Sequence, residues 1–368
     1  MRITSVDIIP IRPRFADRYE GAAVRMRAID QRTVFRITCD NGVVGYGDYR
    51  CAPPPSAVGE AMVGRSPAAF LRDESLPLGL GAACYDAVGK HLDVPAWQLM
   101  GSRQRQRVPV CAWTRPGDAE TMASEITRAA EEGYLLFKVH TSQHYDVLEQ
   151  HRAIDDVAPD GFRMHYDFNH NRSLAAVGPI IAELEREHPI VGFIEDPLKF
   201  EDIAGWAALR RQTSLPLIMH GTRIGGMQEY KYEMADIYMI GGTIHHTMAT
   251  GFALGKANTQ VLLQYESGTL GKAMALHMAA VLPSNTAHNI DLDDQYAEDY
   301  TTELSPAQTP EPQDSGRTRE VACARCRTRG VRARWCATLY LHHQRLRHGT
   351  SREAARNGRN YCSHRQYW

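Results

Sequence analysis

The feature that most constrains this chain of 368 residues is a run of eight apolar segments that begins at Val108. They are Val108–Trp113, Leu135–His140, Phe162–Asn169, Val191–Pro197, Pro216–Gly221, Ala235–Gly241, Gln260–Glu266 and Thr286–Leu292. They recur about every 20–30 residues with helix-period stretches such as Asp118–Glu132 between them, a pattern that calls for parallel strands joined by helices. The pattern predicts an α/β fold, a (β/α) barrel over residues 107–303, with a doubly wound sheet as the alternative. A barrel of this kind keeps its chemistry at the C-terminal ends of its strands.

Three successive strand ends carry polar groups. Val191-Gly192-Phe193-Ile194 runs into Glu195-Asp196-Pro197, Phe162–Asn169 delivers Asp167, and Leu135–His140 presents Lys138 and His140. Side chains alternate across a strand, so Lys138 and His140, two apart, share a face. One rim therefore receives a base followed by two acids.

Residues 1–106 read differently. Val6 and Ile8 alternate with Ser5 and Asp7, and Thr33–Cys39 and Val43–Asp48 flank the turn Asp40-Asn41-Gly42, a hairpin signal because Asn and Gly tolerate positive φ. Helical spacing follows in Ala57–Val63 and Gly81–Lys90, giving an α+β domain ahead of the barrel. Residues 10–28, with five arginines from Arg12 to Arg27, are expected as a polar connection, either a solvated loop or a lid over the site.

The 43% apolar content, the 23% charged content and the lack of an apolar run near the ~20 residues that span a bilayer predict a soluble chain with no membrane partner. Cys39, Cys51, Cys84 and Cys111 have no regular spacing and are expected as free thiols of a cytoplasmic protein. Residues 304–368 form an atypical tail. From residue 311 onward, thirteen arginines against four acids give +9 and leave −10 on the rest of the chain. Disorder, or a shifted reading frame, is the expectation; Cys323 and Cys326 with Cys336, His342 and His343 also permit a zinc site, and the charge permits a basic arm, although nucleic acid is not the expected partner.

The order Lys-x-His, Asp-x-Asn, Glu-Asp-Pro behind such a cap resembles the enolase superfamily, in its mandelate racemase/muconate lactonizing enzyme-like branch. Asn41–Asp48 is similar to that family's cap hairpin, and Tyr85–Lys90 followed by Pro95–Gly101 to the helix that closes the cap. The resemblance covers about residues 1–303 and implies a (β/α)8-type, TIM-like barrel of modified (β/α)7β form. It implies a Mg²⁺-dependent enzyme, with Mn²⁺ or another divalent ion possible, acting on a small-molecule carboxylate and assembled as a homo-oligomer. Removing a proton α to a carboxylate needs a divalent cation on the carboxylate oxygens and a base over the carbon. Asp167 and Glu195 are the expected ligands, His140 the expected base, and Lys138 the polarising neighbour that lowers the imidazole pKa.

The chain departs from the family at the fifth strand, which ends in His220 rather than a carboxylate. His220 is a metal ligand, a substrate hydrogen-bonder or a strand-end histidine. No His-Asp dyad follows, and Glu266 stands either as an acid on the opposite face of the substrate or as a helix cap. The expected reaction is loss of the α-proton of a sugar-acid hydroxy-carboxylate with β-elimination of water. A racemase or epimerase on the same scaffold, and a non-catalytic binding or regulatory relative, are the alternatives.

Overall fold

The computed structural model describes residues 1–13, 16, 31–221, 228–264, 268–290 and 320–322. The arginine-containing connection, Glu266 and nearly all of the tail therefore lie outside the described residues.

Strands β1 (Ile3–Ile11), β2 (Arg32–Cys39) and β3 (Val44–Tyr49) form an antiparallel sheet in the order β1-β2-β3, with the expected turn between β2 and β3. Helix Leu78–Leu92 packs on this sheet. The approach is close because β3 carries Gly45 and Gly47: a Cβ at Gly47 would stand 2.1 Å from the carbonyl of Gly79. Asp86 on that helix accepts from the Tyr46 amide (2.9 Å) and from Lys90 Nζ one turn later (2.5 Å), an ion pair buried on both sides. A buried carboxylate is tolerated here because both a donor and a cation meet it.

Seven longer strands make the barrel: β4 (Arg107–Thr114), β5 (Leu136–His140), β6 (Arg163–Asp167), β7 (Val191–Glu195), β8 (Leu217–His220), β9 (Ile237–Ile240) and β10 (Gln260–Leu263), with the two-residue β11 (Asn289–Ile290) as the eighth. They are parallel in the order β10-β9-β8-β7-β6-β5-β4-β11, and a parallel bridge between Gln264 and Ile290 joins the two ends. The near-closure excludes the doubly wound sheet and matches the barrel read from the strand pattern. Three more residues, β12 (Glu320–Ala322), pair antiparallel with Arg107–Pro109 of β4. Side chains placed by the sequence start the intervening helices: Asp118, Asp146, Asp202 and Thr243 each accept a backbone N–H from the first turn.

Inward residues alternate with outward ones on every strand. Cys111, Trp113, Leu136, Ile218, Ile237, Met239, Leu262 and Ile290 fill the interior as one apolar cluster, while their sequence neighbours face the helices in the main core. The barrel is thus plugged below and polar at its C-terminal mouth. Cys39, Cys51, Cys84 and Cys111 are free, as expected. No helix among the described residues is long and apolar enough to cross a membrane.

The seam is held by a side chain. Asn289 is fully buried; its Oδ1 accepts from the Leu263 amide (2.9 Å) and Asn285 Nδ2 (2.8 Å), and its Nδ2 donates to the Pro109 carbonyl (3.0 Å) and Asn285 Oδ1 (2.9 Å). The amide ties β10 to β4 beside β11. Asn289→Ala should cost about 3 kcal/mol, since it strands several buried partners, and a denaturant-unfolding midpoint close to that of the parent would refute this.

Helix Thr269–Val281 lies between the barrel and the cap, and the Gly271 amide donates to the buried Asp48 carboxylate of β3 (2.9 Å). Burial of His277 on this helix pushes its imidazole pKa down to about 4. Between about pH 6.5 and 4 the unfolded chain thus binds a proton that the folded chain refuses, and stability falls as pH falls through that window, by up to about 3 kcal/mol from this residue. In His277→Leu the stability difference between pH 7 and pH 5, measured by urea unfolding, should shrink accordingly.

Candidate active site

Five strand ends build the mouth. The β5–β6–β7 register sets His140 beside Asp167 and Asp167 beside Glu195, so all three point inward at one level. Lys138, one step deeper and fully buried, extends its ammonium up between the acids. Its Nζ lies 3.0 Å from Asp167 Oδ2 and 2.6 Å from Glu195 Oε2, and donates to Gln264 Oε1 at 2.8 Å. His140 Nε2 stands 2.9 Å from Asp167 Oδ2, its ring edge-on to Trp113. The Asn169 amide donates to the other Asp167 oxygen at 2.8 Å.

Glu195 is surrounded by basic side chains. Besides Lys138, His165 Nε2 lies 2.7 Å from Oε2, and His220 Nδ1 3.4 Å from Oε1. Below it, His165 Nδ1 meets His288 Nε2 at 2.9 Å. The next residue, Asp196, has φ +48°, a left-handed conformation that costs a non-glycine residue about 1–3 kcal/mol. Regular alternation would turn Asp196 away from the mouth. Instead its Oδ1 accepts from the His220 amide (2.9 Å) and its Oδ2 lies 2.7 Å from His170 Nε2. Two consecutive carboxylates are thereby aimed into one place, and one ligand atom each from Glu195, Asp196 and His220 lies within 4.8 Å of the others.

The protonation states follow from burial and charge. Burial and Glu195 raise the Asp167 carboxyl, but Lys138 and His140 outweigh them and hold it below the usual carboxylate range. Glu195 is raised by burial, yet Lys138, His165 and His220 bring it well below its ordinary value. Burial, with Glu195 and Asp167 adding to it, outweighs His170 at Asp196, whose pKa is raised. Burial lowers Lys138, and Asp167 and Glu195 more than reverse this. His165 and His288 are both lowered, chiefly by burial, so the pair beneath Glu195 is neutral.

The donor set fits a divalent cation. Both Glu195 oxygens are buried; Oε2 is held by Lys138 and His165, whereas Oε1 meets His220 Nδ1 only at 3.4 Å, which leaves it room for a further positive centre. Three carboxylates stand against the single permanent charge of Lys138. Two acids suit Mg²⁺ or Mn²⁺, and the imidazole shifts the preference toward Mn²⁺ or a softer divalent ion.

Of the residues expected from the sequence, Lys138, His140, Asp167, Glu195 and His220 come together at this mouth. Asp167 is turned toward Lys138 and His140, while Asp196 stands with Glu195 and His220. Glu266 lies outside the described residues. Asp196 was quoted in the sequence as part of the Glu-Asp-Pro motif but given no role of its own, and His165, His170, Gln264 and His288 were given none. Period-two spacing gave a signal for His165, two before Asp167, and for Gln264, at the end of its strand; the turn that redirects Asp196 left none.

The family model for the enolase C-terminal domain-like family matches residues 121–315. A D-galactonate dehydratase of Variovorax paradoxus (strain S110) is 28% identical over 232 residues, 53% of this chain and 59% of that protein. An N-succinyl-L-Arg/Lys racemase of Bacillus cereus is 26% identical over 251 residues, covering 60% and 66%. The chain spans about three fifths of the length of these curated relatives. Among solved structures, a dipeptide epimerase from Enterococcus faecalis V583 superposes with a TM-score of 0.69 over 83% of this chain and 94% of that one; at 17% identity the likeness is one of fold. With more than half of its residues matched by the family model, and with a barrel mouth of the acid-rich kind just described, the chain belongs to the enolase C-terminal domain-like family.

Proposed function

We propose that the protein is a divalent-metal-dependent enzyme that removes the α-proton of a hydroxy-carboxylate, a sugar acid, and expels the β-hydroxyl as water. The observation that carries this reading is the convergence of Glu195, Asp196 and His220 beside the Lys138–Asp167–His140 chain. Mg²⁺ or Mn²⁺ held by Glu195, Asp196 and His220, with Asp167 at the rim, would supply positive charge to the substrate carboxylate as its α-proton leaves.

His140 is the base in this reading. Its Nε2 is held at 2.9 Å by Asp167, which fixes the ring and favours the imidazolium formed when the proton arrives. Lys138 keeps Asp167 and Glu195 ionised from below, so that neither competes for that proton. As the α C–H bond breaks, its electron pair becomes the new C=C bond and the β C–O bond opens. Glu266 is the acid that the sequence offers to protonate the departing hydroxyl.

Racemisation of the same α-carbon is the second reading, favoured by the similarity to an N-succinyl-L-Arg/Lys racemase. It uses the same base and returns a proton from the opposite face. α-Deuterium exchange without formation of a 2-keto acid would select it over dehydration.

His140→Asn should lower α-proton exchange in D2O by about 10²–10⁴-fold, the range for loss of a positioned base, while leaving Mn²⁺ affinity near that of the parent. Glu195→Gln should instead weaken Mn²⁺ binding, read by calorimetry, and abolish turnover with it. Full exchange in His140→Asn would move the role of base to another residue, and undiminished Mn²⁺ binding in Glu195→Gln would sink the metal assignment.

A further inference from the structure

A second cluster lies on the outside of the barrel, at the end opposite the mouth. His151 and Asp155 are four apart on helix Val147–Asp155, hence on one face, and His188 follows the end of helix Leu174–Glu187 just ahead of β7. His151 Nε2 is 3.3 Å from Asp155 Oδ1, and His188 Nδ1 touches Asp155 Oδ2. One ligand atom from each residue lies within 4.8 Å of the other two. We propose that these three residues form a binding site for a zinc-like divalent ion that pins the two helices together, separate from the barrel mouth.

Four observations carry this. First, His151 is fully buried, and its Nε2 points into the cluster without a well-directed hydrogen bond. A buried imidazole nitrogen left so is costly, and a metal bond would satisfy it. Second, the opposite nitrogen, Nδ1, is in contact with the Tyr166 hydroxyl on the outward face of β6. An outer hydrogen-bond partner of this kind fixes the ring of a ligating histidine. Third, the His151 and His188 rings stand edge to face with centroids 4.3 Å apart, too close for both to be charged at little cost.

Fourth, Asp155 ends its helix, where the backbone dipole is negative and a carboxylate is unfavourable unless a cation offsets it. Asp155 is also the open side of the cluster, with its side chain 32% exposed against 0% for His151 and 10% for His188. Two imidazoles, one carboxylate and a face toward solvent give three protein ligands and a place for water, a set that suits Zn²⁺. The place in the fold argues for a structural ion, because the N-terminal face of a barrel carries stability rather than chemistry.

The test is a Co²⁺ titration of the metal-stripped full chain, followed by visible absorption and by displacement with Zn²⁺, beside thermal unfolding with and without Zn²⁺. The expected result is a tightly held Co²⁺ with nitrogen and oxygen ligands, beside the ion taken up at the mouth and still present in Glu195→Gln, and a melting temperature raised by Zn²⁺. Both effects should fall at least tenfold in apparent affinity in Asp155→Asn and in His188→Gln, each of which keeps the fully buried His151 in the sequence. They should persist in Glu195→Gln and in the double variant Cys323→Ser/Cys326→Ser. Cobalt bound equally well by Asp155→Asn and His188→Gln would overturn the proposal. So would a signal lost entirely in Glu195→Gln, a sulfur-to-cobalt charge-transfer band lost with the tail cysteines, or no uptake at micromolar metal.

Discussion

The structure depends on one buried cation. Lys138 has no contact with water, and its ammonium is tolerated only because Asp167, Glu195 and Gln264 surround it within 3.0 Å. The reverse holds equally, since two carboxylates at the same depth would repel each other and take up protons without it. The register of β5, β6 and β7 sets this spacing, so the polar mouth and the strand alignment specify each other. A slip of one residue in β5 would turn Lys138 and His140 into the outer apolar layer and put Phe137 and Val139 among the acids.

Above that cation the site is assembled by an exception to strand geometry. Pleated strands deliver every second side chain to the interior, which limits each to one group at a given level. The left-handed Asp196 breaks this limit, and the amide of His220 and the ring of His170 hold it in place. Its neighbours Asn169 and His170 also have positive φ, and the His170 amide donates to the Asp196 carbonyl. The β6 and β7 loops therefore brace each other, and conformational strain is concentrated where the acids converge.

The barrel was legible because its signal is local: eight apolar segments in a row, with their polar residues at one end. Lys138, His140, Asp167 and Glu195 could be found for the same reason, being strand-end residues with period-two partners. His220 was found as a departure at the end of the fifth strand. What could not be read are partners brought in by closure. Gln264 meets Lys138 across 126 residues and His288 meets His165 across 123, and no spacing rule connects them. Among the described residues, Gln260–Glu266 gives a strand over Gln260–Leu263 with a bridge at Gln264, and Thr286–Leu292 one over Asn289–Ile290, where the side chains of Asn285 and Asn289 bond to main-chain groups of Val261, Leu263 and Pro109. Their alternation of apolar residues is the same whether the bonds come from main chain or side chain.

Helix Thr269–Val281 gives the molecule a particular kind of cooperativity. Its N-terminal turn receives the Asp48 carboxylate of the cap sheet, and its C-terminal end leads directly into Asn285 and Asn289, the residues that close the barrel. An opening of the seam displaces the element on which the cap rests, and lifting the cap loosens the element that holds the seam. Cap and barrel, though built from separate stretches of chain, also share an apolar cluster that takes in Leu78, Ala82 and Tyr85 of the cap helix, so local opening of one is expected to loosen the other rather than leave two foldons that breathe independently.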